Sequence, residues 1–212
     1  MSTQQLETYL NSLVPERPFT VQQMEAYAAE HNFPIIGPAA GYFCYQQARL
    51  LNAKRIFELG SGYGYSTYWF ARAVAESNPD GSGEIFHTVW DEDLSQKART
   101  HLAELKLGHL IHYRVSEAVA ALGETEGPFD LIFNDINKEG YLDSLPVIEE
   151  KLRPGGLLII DNMLWSHRIF DETDTSEATE AIREFTRRIT TSDNWIATLV
   201  PIRDGLIVAQ KQ

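Results

Sequence analysis

From Arg55 onward, short runs rich in β-branched and aromatic residues alternate with helical stretches, and this alternation limits the folds open to the chain. The runs are 55–59 (RIFEL), 84–90 (EIFHTVW), 110–115 (LIHYRV), 129–135 (FDLIFND), 155–161 (GGLLIID), 195–201 (WIATLVP) and 206–210 (LIVAQ). Helical patterns fill 66–75, 94–105, 117–122, 142–152 and 176–189 between them. Strands that alternate with helices pair in parallel and are covered on both faces. Only PIRDG separates the last two runs, so these two pair as an antiparallel hairpin. The expected fold is therefore α/β: a Rossmann-like, doubly wound, mostly parallel seven-stranded sheet whose C-terminal end carries the antiparallel strand. Residues 1–52 read as extra helices without strand partners, a cap or a contact between copies. The 212 residues suffice for one sizeable core, so 1–212 is read as a single domain.

In such a fold, ligands sit beyond the C-terminal ends of the strands, beside the first one. The decamer FELGSGYGYS, residues 57–66, falls there. Gly60, Gly62 and Gly64 permit a tight turn and a close ligand. The helix starting near Ser66 offers its N-terminus to an anion. Glu58, an acid inside an apolar strand, is costly to bury unless a donor meets it. A ligand with both an ammonium and a carboxylate answers both features. A dinucleotide fingerprint would read G-x-G-x-x-G, and here the third glycine is misplaced. A glycine turn with no ligand remains the plain alternative.

Two other strand exits carry oxygen donors: Asp135 after LIFN, and Asp161 with Asn162 after LLII. Two carboxylates and an amide oxygen at one sheet edge suit a hard divalent cation, while no Cys or His pair is spaced for zinc. Each of these residues could instead cap the segment that follows.

The turn E-L-G-S-G-Y-G-Y-S resembles the class I S-adenosylmethionine-dependent methyltransferases, which use E-x-G-x-x-x-G-x-S to hold the methionine part of the cofactor. Glu58, Gly60, Gly64 and Ser66 match, with Ser61 and Gly62 inside the turn. Over nearly the whole chain the resemblance is to the cation-dependent O-methyltransferases of the catechol and caffeoyl-coenzyme A type. It rests on Asp135-Ile136-Asn137-Lys138-Glu139-Gly140-Tyr141, Arg153-Pro154-Gly155-Gly156, Asp161-Asn162-Met163-Leu164-Trp165 and Asp204-Gly205. It implies a cofactor site that adds Asp91 near the ribose, Glu117 and Ala118 near the adenine, and Asp135. It also implies a divalent cation, magnesium or in its place manganese or calcium, on Asp135, Asp161 and Asn162. Lys138 would accept or screen the acceptor's proton. The implied acceptor is a small aromatic diol. Tyr42, Phe43, Tyr141 and Trp165 are candidates for its aromatic wall, and a homodimer is implied. Departures are Asn137 for Asp, Ile136 for Ala, Ser166-His167 where glycine is usual, and Val89 where the ribose acid would stand. A metal-independent class I methyltransferase and a nucleotide-binding Rossmann protein are the rival readings.

Composition narrows the setting. Eighteen Lys and Arg against 30 Asp and Glu give a net charge of −12, which disfavours nucleic acid as a partner. Cys44 is the single cysteine, which fits a reducing cytoplasm. No basic-then-apolar leader opens the sequence, and the apolar runs are far too short to span a bilayer, so no membrane partner is expected.

Overall fold

The computed structural model describes residues 3–212. Three helices lead in: α1 (Thr3–Ser12), α2 (Phe19–His31) and α3 (Gly37–Leu50). Prolines mark their starts, with Pro18 before α2 and Pro38 in the first turn of α3, where the missing N–H costs nothing. Then follow β1 (Arg55–Leu59), α4 (Tyr65–Ser77), β2 (Glu84–Val89), α5 (Glu92–Glu104), β3 (Ile111–Val115), α6 (Ala118–Glu124), β4 (Phe129–Asn134), α7 (Tyr141–Lys151), β5 (Leu152–Ile160), α8 (Glu177–Thr191), β6 (Trp195–Val200) and β7 (Leu206–Lys211).

The seven strands form one sheet in the order β3-β2-β1-β4-β5-β7-β6. β1 to β5 pair in parallel, and β7 runs antiparallel to both β5 and β6. The antiparallel strand therefore lies one place in from the edge, not at the end of the sheet as the sequence suggested. Burial gives the reason. Leu206, Ile207 and Ala209 of β7 are fully buried, whereas β6 buries little beyond Trp195 and exposes Ile196.

Register sets the site. Leu59 stands opposite Asn134, and Asn134 opposite Ile160. The ladder runs one step further, since Asp135 N–H donates to Leu59 O (2.9 Å) and Asp161 N–H to Asn134 O (3.1 Å). The exits of β1, β4 and β5 thus lie side by side, which brings Gly60, Asp135 and Asp161 together.

Each sheet face has its own apolar core. Val21, Met24, Cys44, Trp69 and Phe70 gather on one, and Leu122, Tyr141, Ile148, Phe185 and Trp195 on the other. Each such side chain contributes roughly 1.5–3 kcal/mol by leaving water. The N-terminal helices belong to the first core and are more than an outer cap. A Cβ on Gly41 would fall 2.1 Å from the Trp69 indole nitrogen, so α3 and α4 pack closely because that position is glycine.

Candidate functional site

The turn after β1 closes on the neighbouring strands. Ser61 N–H donates to Thr88 O (2.9 Å), and Thr88 N–H donates to the Ser61 hydroxyl (3.0 Å). Gly60, Gly62 and Gly64 all have positive φ, at 84°, 50° and 91°. The sequence reading gave the empty space at Gly60 to a ligand. The structure gives it to the chain itself, because a Cβ there would meet Asp135 O at 2.4 Å. Likewise a Cβ on Gly64 would press on Ala98 of α5 at 3.0 Å. Gly62 faces the Phe33 ring across a narrow cleft, which Ser61, Ser66, Pro34, Ile35 and Asp135 also line.

Glu58 stands behind Ser61 and Ser66 and is fully buried. Neither of its carboxylate oxygens has a well-formed hydrogen bond. The nearby Thr67 hydroxyl is engaged with His87 Nδ1 (3.0 Å). Burial pushes Glu58 up to about 7, and the approach of the Ser66, Thr67 and Ser61 hydroxyls offsets only part of that rise. Two orphaned oxygens beside a glycine cradle are what an ammonium-bearing ligand would satisfy, so these residues fit the methionine part of S-adenosylmethionine.

At the exits of β2 and β3 the residues expected near the ribose and the adenine also cap helices. Asp91 caps α5, its Oδ1 accepting from Leu94 N–H (2.9 Å). The cavity there, about 290 Å³, is lined by Trp90 and Glu117 rather than by Asp91. Glu117 also caps α6, accepting from Val119 and Ala120 N–H, and Ala118 is buried beneath it. Trp90, 67% exposed at the mouth, is a candidate contact that strand patterning did not raise.

Beyond the shared wall at Pro34, Ile35 and Asp135 lies a larger cavity of about 650 Å³. Lys138, Asn162, Trp165 and Arg203 line it. Of the four aromatics expected around an acceptor, only Trp165 does. Tyr141 is fully buried and packs edge-on against Phe185. Tyr42 stacks on Tyr45, and Phe43 packs against the N-terminal core. His167 is exposed beside Phe170, while Ser166 reaches the cavity.

Lys138 is buried and donates to Asp135 Oδ1 (3.0 Å), Ile136 O (3.0 Å) and Tyr141 Oη (2.9 Å), which occupies all three of its N–H groups. Tyr141 in turn donates to Asp161 O (2.9 Å). Burial raises the Asp135 carboxyl despite Lys138, and 28% of its side chain still faces the cavity. Burial and then Asp135 raise Asp161, which Arg203 opposes. Asp161 Oδ1 accepts from Asn162 N–H (2.7 Å), and Oδ2 accepts from Arg203 Nη1 (2.9 Å). Asn162 donates to Asp204 Oδ2 (3.3 Å).

The three residues expected to hold a divalent cation do converge, but as built they do not fit one. Both acids already carry a cationic partner, Lys138 on Asp135 and Arg203 on Asp161. Sequence reasoning missed Arg203. The only signal was a basic residue inside the PIRDG turn.

The profile of one family, described as O-methyltransferase, matches residues 10–212. The chain belongs to the O-methyltransferase family. It is thus an S-adenosylmethionine-dependent O-methyltransferase by family. A catechol O-methyltransferase of Niastella koreensis (strain DSM 17620 / KACC 11465 / NBRC 106392 / GR20-10) is 31% identical over 192 residues, covering 85% of each chain. Caffeoyl-CoA O-methyltransferase 2 of Zea mays is 24% identical over 214 residues, 94% of this chain and 79% of that one. Among solved structures, an O-methyltransferase from Bacillus cereus in complex with SAH superposes with a TM-score of 0.85 at 24% identity, covering 98% of this chain and 97% of that one. This O-methyltransferase chain shares that fold, and no helix among its described residues is long and apolar enough to cross a membrane.

Proposed function

We propose that this chain moves a methyl group from S-adenosylmethionine to one hydroxyl of a small ortho-dihydroxy aromatic acceptor. The observation that carries the reading is the shared wall: the cleft over the glycine turn and the 650 Å³ cavity meet at Pro34, Ile35 and Asp135. A group leaving the cleft along that wall enters the cavity. When bound, S-adenosylmethionine supplies a methyl made electrophilic by its sulfonium. Glu58 receives the ammonium, directly or through Ser61 and Ser66, and the N-terminus of α4 favours the carboxylate.

On the acceptor side, Trp165 offers a flat apolar wall. The acceptor oxygen forms the new O–CH₃ bond as the S–CH₃ bond breaks. The bonding pair stays on sulfur, and the hydroxyl proton passes to water at the cavity mouth. Lys138 acts by its fixed charge, because its N–H groups already tie Asp135 to Tyr141. Alignment of the two reactants supplies much of the rate. At the residues expected to hold a cation, Arg203 already pairs with Asp161 and Lys138 with Asp135. The name of the Niastella relative supports a vicinal diol. The buried, single Cys44 is in keeping with a cytoplasmic setting.

A panel of catechols, phenols and phenylpropanoid esters with radiolabelled S-adenosylmethionine tests this. Transfer to vicinal diols and not to matched monophenols is expected. Cofactor binding without transfer to any diol would overturn the acceptor class and leave the family standing.

A further inference from the structure

Arg203 stands inside the tight turn between β6 and β7, at the rim of the large cavity. Its φ is +53°, in the left-handed region that non-glycine residues rarely adopt. The turn that carries it is held from both sides. Gly205 N–H donates to Ile202 O (2.9 Å), and Leu164 N–H donates to Asp204 O (2.8 Å). Asp204 Oδ1 also accepts from Ser166 N–H (2.6 Å). The backbone of residue 203 is thereby fixed above the exits of β4 and β5. From there the guanidinium reaches Asp161 Oδ2, an oxygen on a side chain only 1% exposed. That bond uses one of five N–H groups, and Arg203 also lines the 650 Å³ cavity.

A magnesium ion on Asp135, Asp161 and Asn162 would share Asp161 with the Arg203 guanidinium and would sit beside a second positive charge, Lys138. Magnesium sheds water reluctantly and demands near-octahedral geometry, so it competes poorly for a ligand already paired. A guanidinium, always charged and planar, can instead present two parallel donors to two vicinal oxygens. We propose that Arg203 is the resident cation of this site: its guanidinium takes the place of a dissociable divalent ion on Asp161 and uses its remaining N–H groups to hold the acceptor oxygens. The proposal rests on reading the cavity as the acceptor site.

The test compares wild type with Arg203→Gly and Arg203→Lys. Glycine suits the positive φ, so that variant keeps the turn. Manganese binding, followed by electron paramagnetic resonance without cofactor or acceptor, is the first readout. Wild type should bind weakly, and Arg203→Gly at least about tenfold more tightly, because a paired carboxylate has been freed. The second readout is transfer to catechol in excess EDTA. Wild type should keep its turnover, Arg203→Lys should lose most of it, and Arg203→Gly should need added magnesium. Equal manganese affinity in wild type and Arg203→Gly, or wild-type turnover abolished by EDTA, would overturn the proposal. If no protein methylates any diol, the acceptor reading fails, while the manganese measurement still decides the role of Arg203.

Discussion

Glu58 couples cofactor binding to pH. Its carboxyl is displaced from 4.5 to about 7 because burial penalises the charge and nothing well placed compensates it. The group therefore contributes stability to the ligand-free protein that is fully present below about 4.5 and is lost as pH rises through about 7. An incoming ammonium reverses the sign by pairing with the ionised form. The increase in melting temperature on adding S-adenosylhomocysteine should therefore be larger at pH 8 than at pH 6. Glu58→Gln should flatten that difference, and scanning fluorimetry at both pH values checks it; an unchanged pH dependence in the variant would sink the idea.

Lys138 is the second informative residue. Lys138→Ala leaves Asp135 without its cation and Tyr141 without a donor, so turnover should fall about a hundredfold, more than affinity for the diol. Steady-state kinetics that instead show only a raised KM would reduce Lys138 to a binding contact. The motif around Lys138 made it legible in the sequence. The occupation of all its donors was not legible, because this depends on Tyr141 and Ile136 O, whose positions only the folded turn fixes.

At the scale of elements, the β6–β7 hairpin and the segment after β5 form one device. Asn162, Trp165, Ser166 and His167 all have positive φ, at 60°, 48°, 51° and 68°. Such backbone is held only where its surroundings over-determine it, and here Asp204 does so through Ser166 N–H and the Asn162 amide. Asp204→Ala should cost roughly 0.5–1.5 kcal/mol, because water can reach the exposed Ser166 N–H and partly reach the Asn162 amide. It should raise the acceptor KM while leaving cofactor affinity nearly intact. Thermal melts, acceptor kinetics and a cofactor titration together check this, and a cofactor defect as large as the acceptor defect would contradict it. The strands themselves were readable to within a few residues, because period-two patterning and turn residues both marked them. The placement of β7 between β5 and β6 was not read. The turn showed that β6 and β7 pair, but not which of them meets β5. Apolar content does not separate them, since β6 reads WIATLV and β7 LIVAQK, and only the folded sheet shows which one is buried.

Across the whole molecule, the N-terminal helices do two jobs. Val21, Met24, Ala40 and Cys44 face inward and complete one core. Tyr9, Leu13, Phe19 and Leu50 face out, each at least 60% exposed. Large apolar side chains left exposed in the N-terminal segment of a chain with a net charge of −12 are surface that water covers poorly. We expect a homodimer through that segment, so light scattering at micromolar concentration should give twice the 24.0 kDa of one chain. Monomer mass at that concentration would remove the expectation. Sequence patterning identified these segments as helices but gave them no share of the core, because an amphipathic stripe does not reveal which surface it meets.

The contact between Gly60 and Asp135 O has a consequence for how such a molecule diversifies. Any side chain at position 60 would push on the backbone that floors the neighbouring cavity, so the donor end cannot be altered without disturbing the acceptor end. Heritable change in what the molecule accepts must therefore enter elsewhere, through Pro34 and Ile35, through Trp165 and Ser166, or through Arg203. Those positions lie in connecting segments outside the parallel ladder. A lineage built on this frame can explore new acceptors by redrawing its loops while the methyl source stays the same.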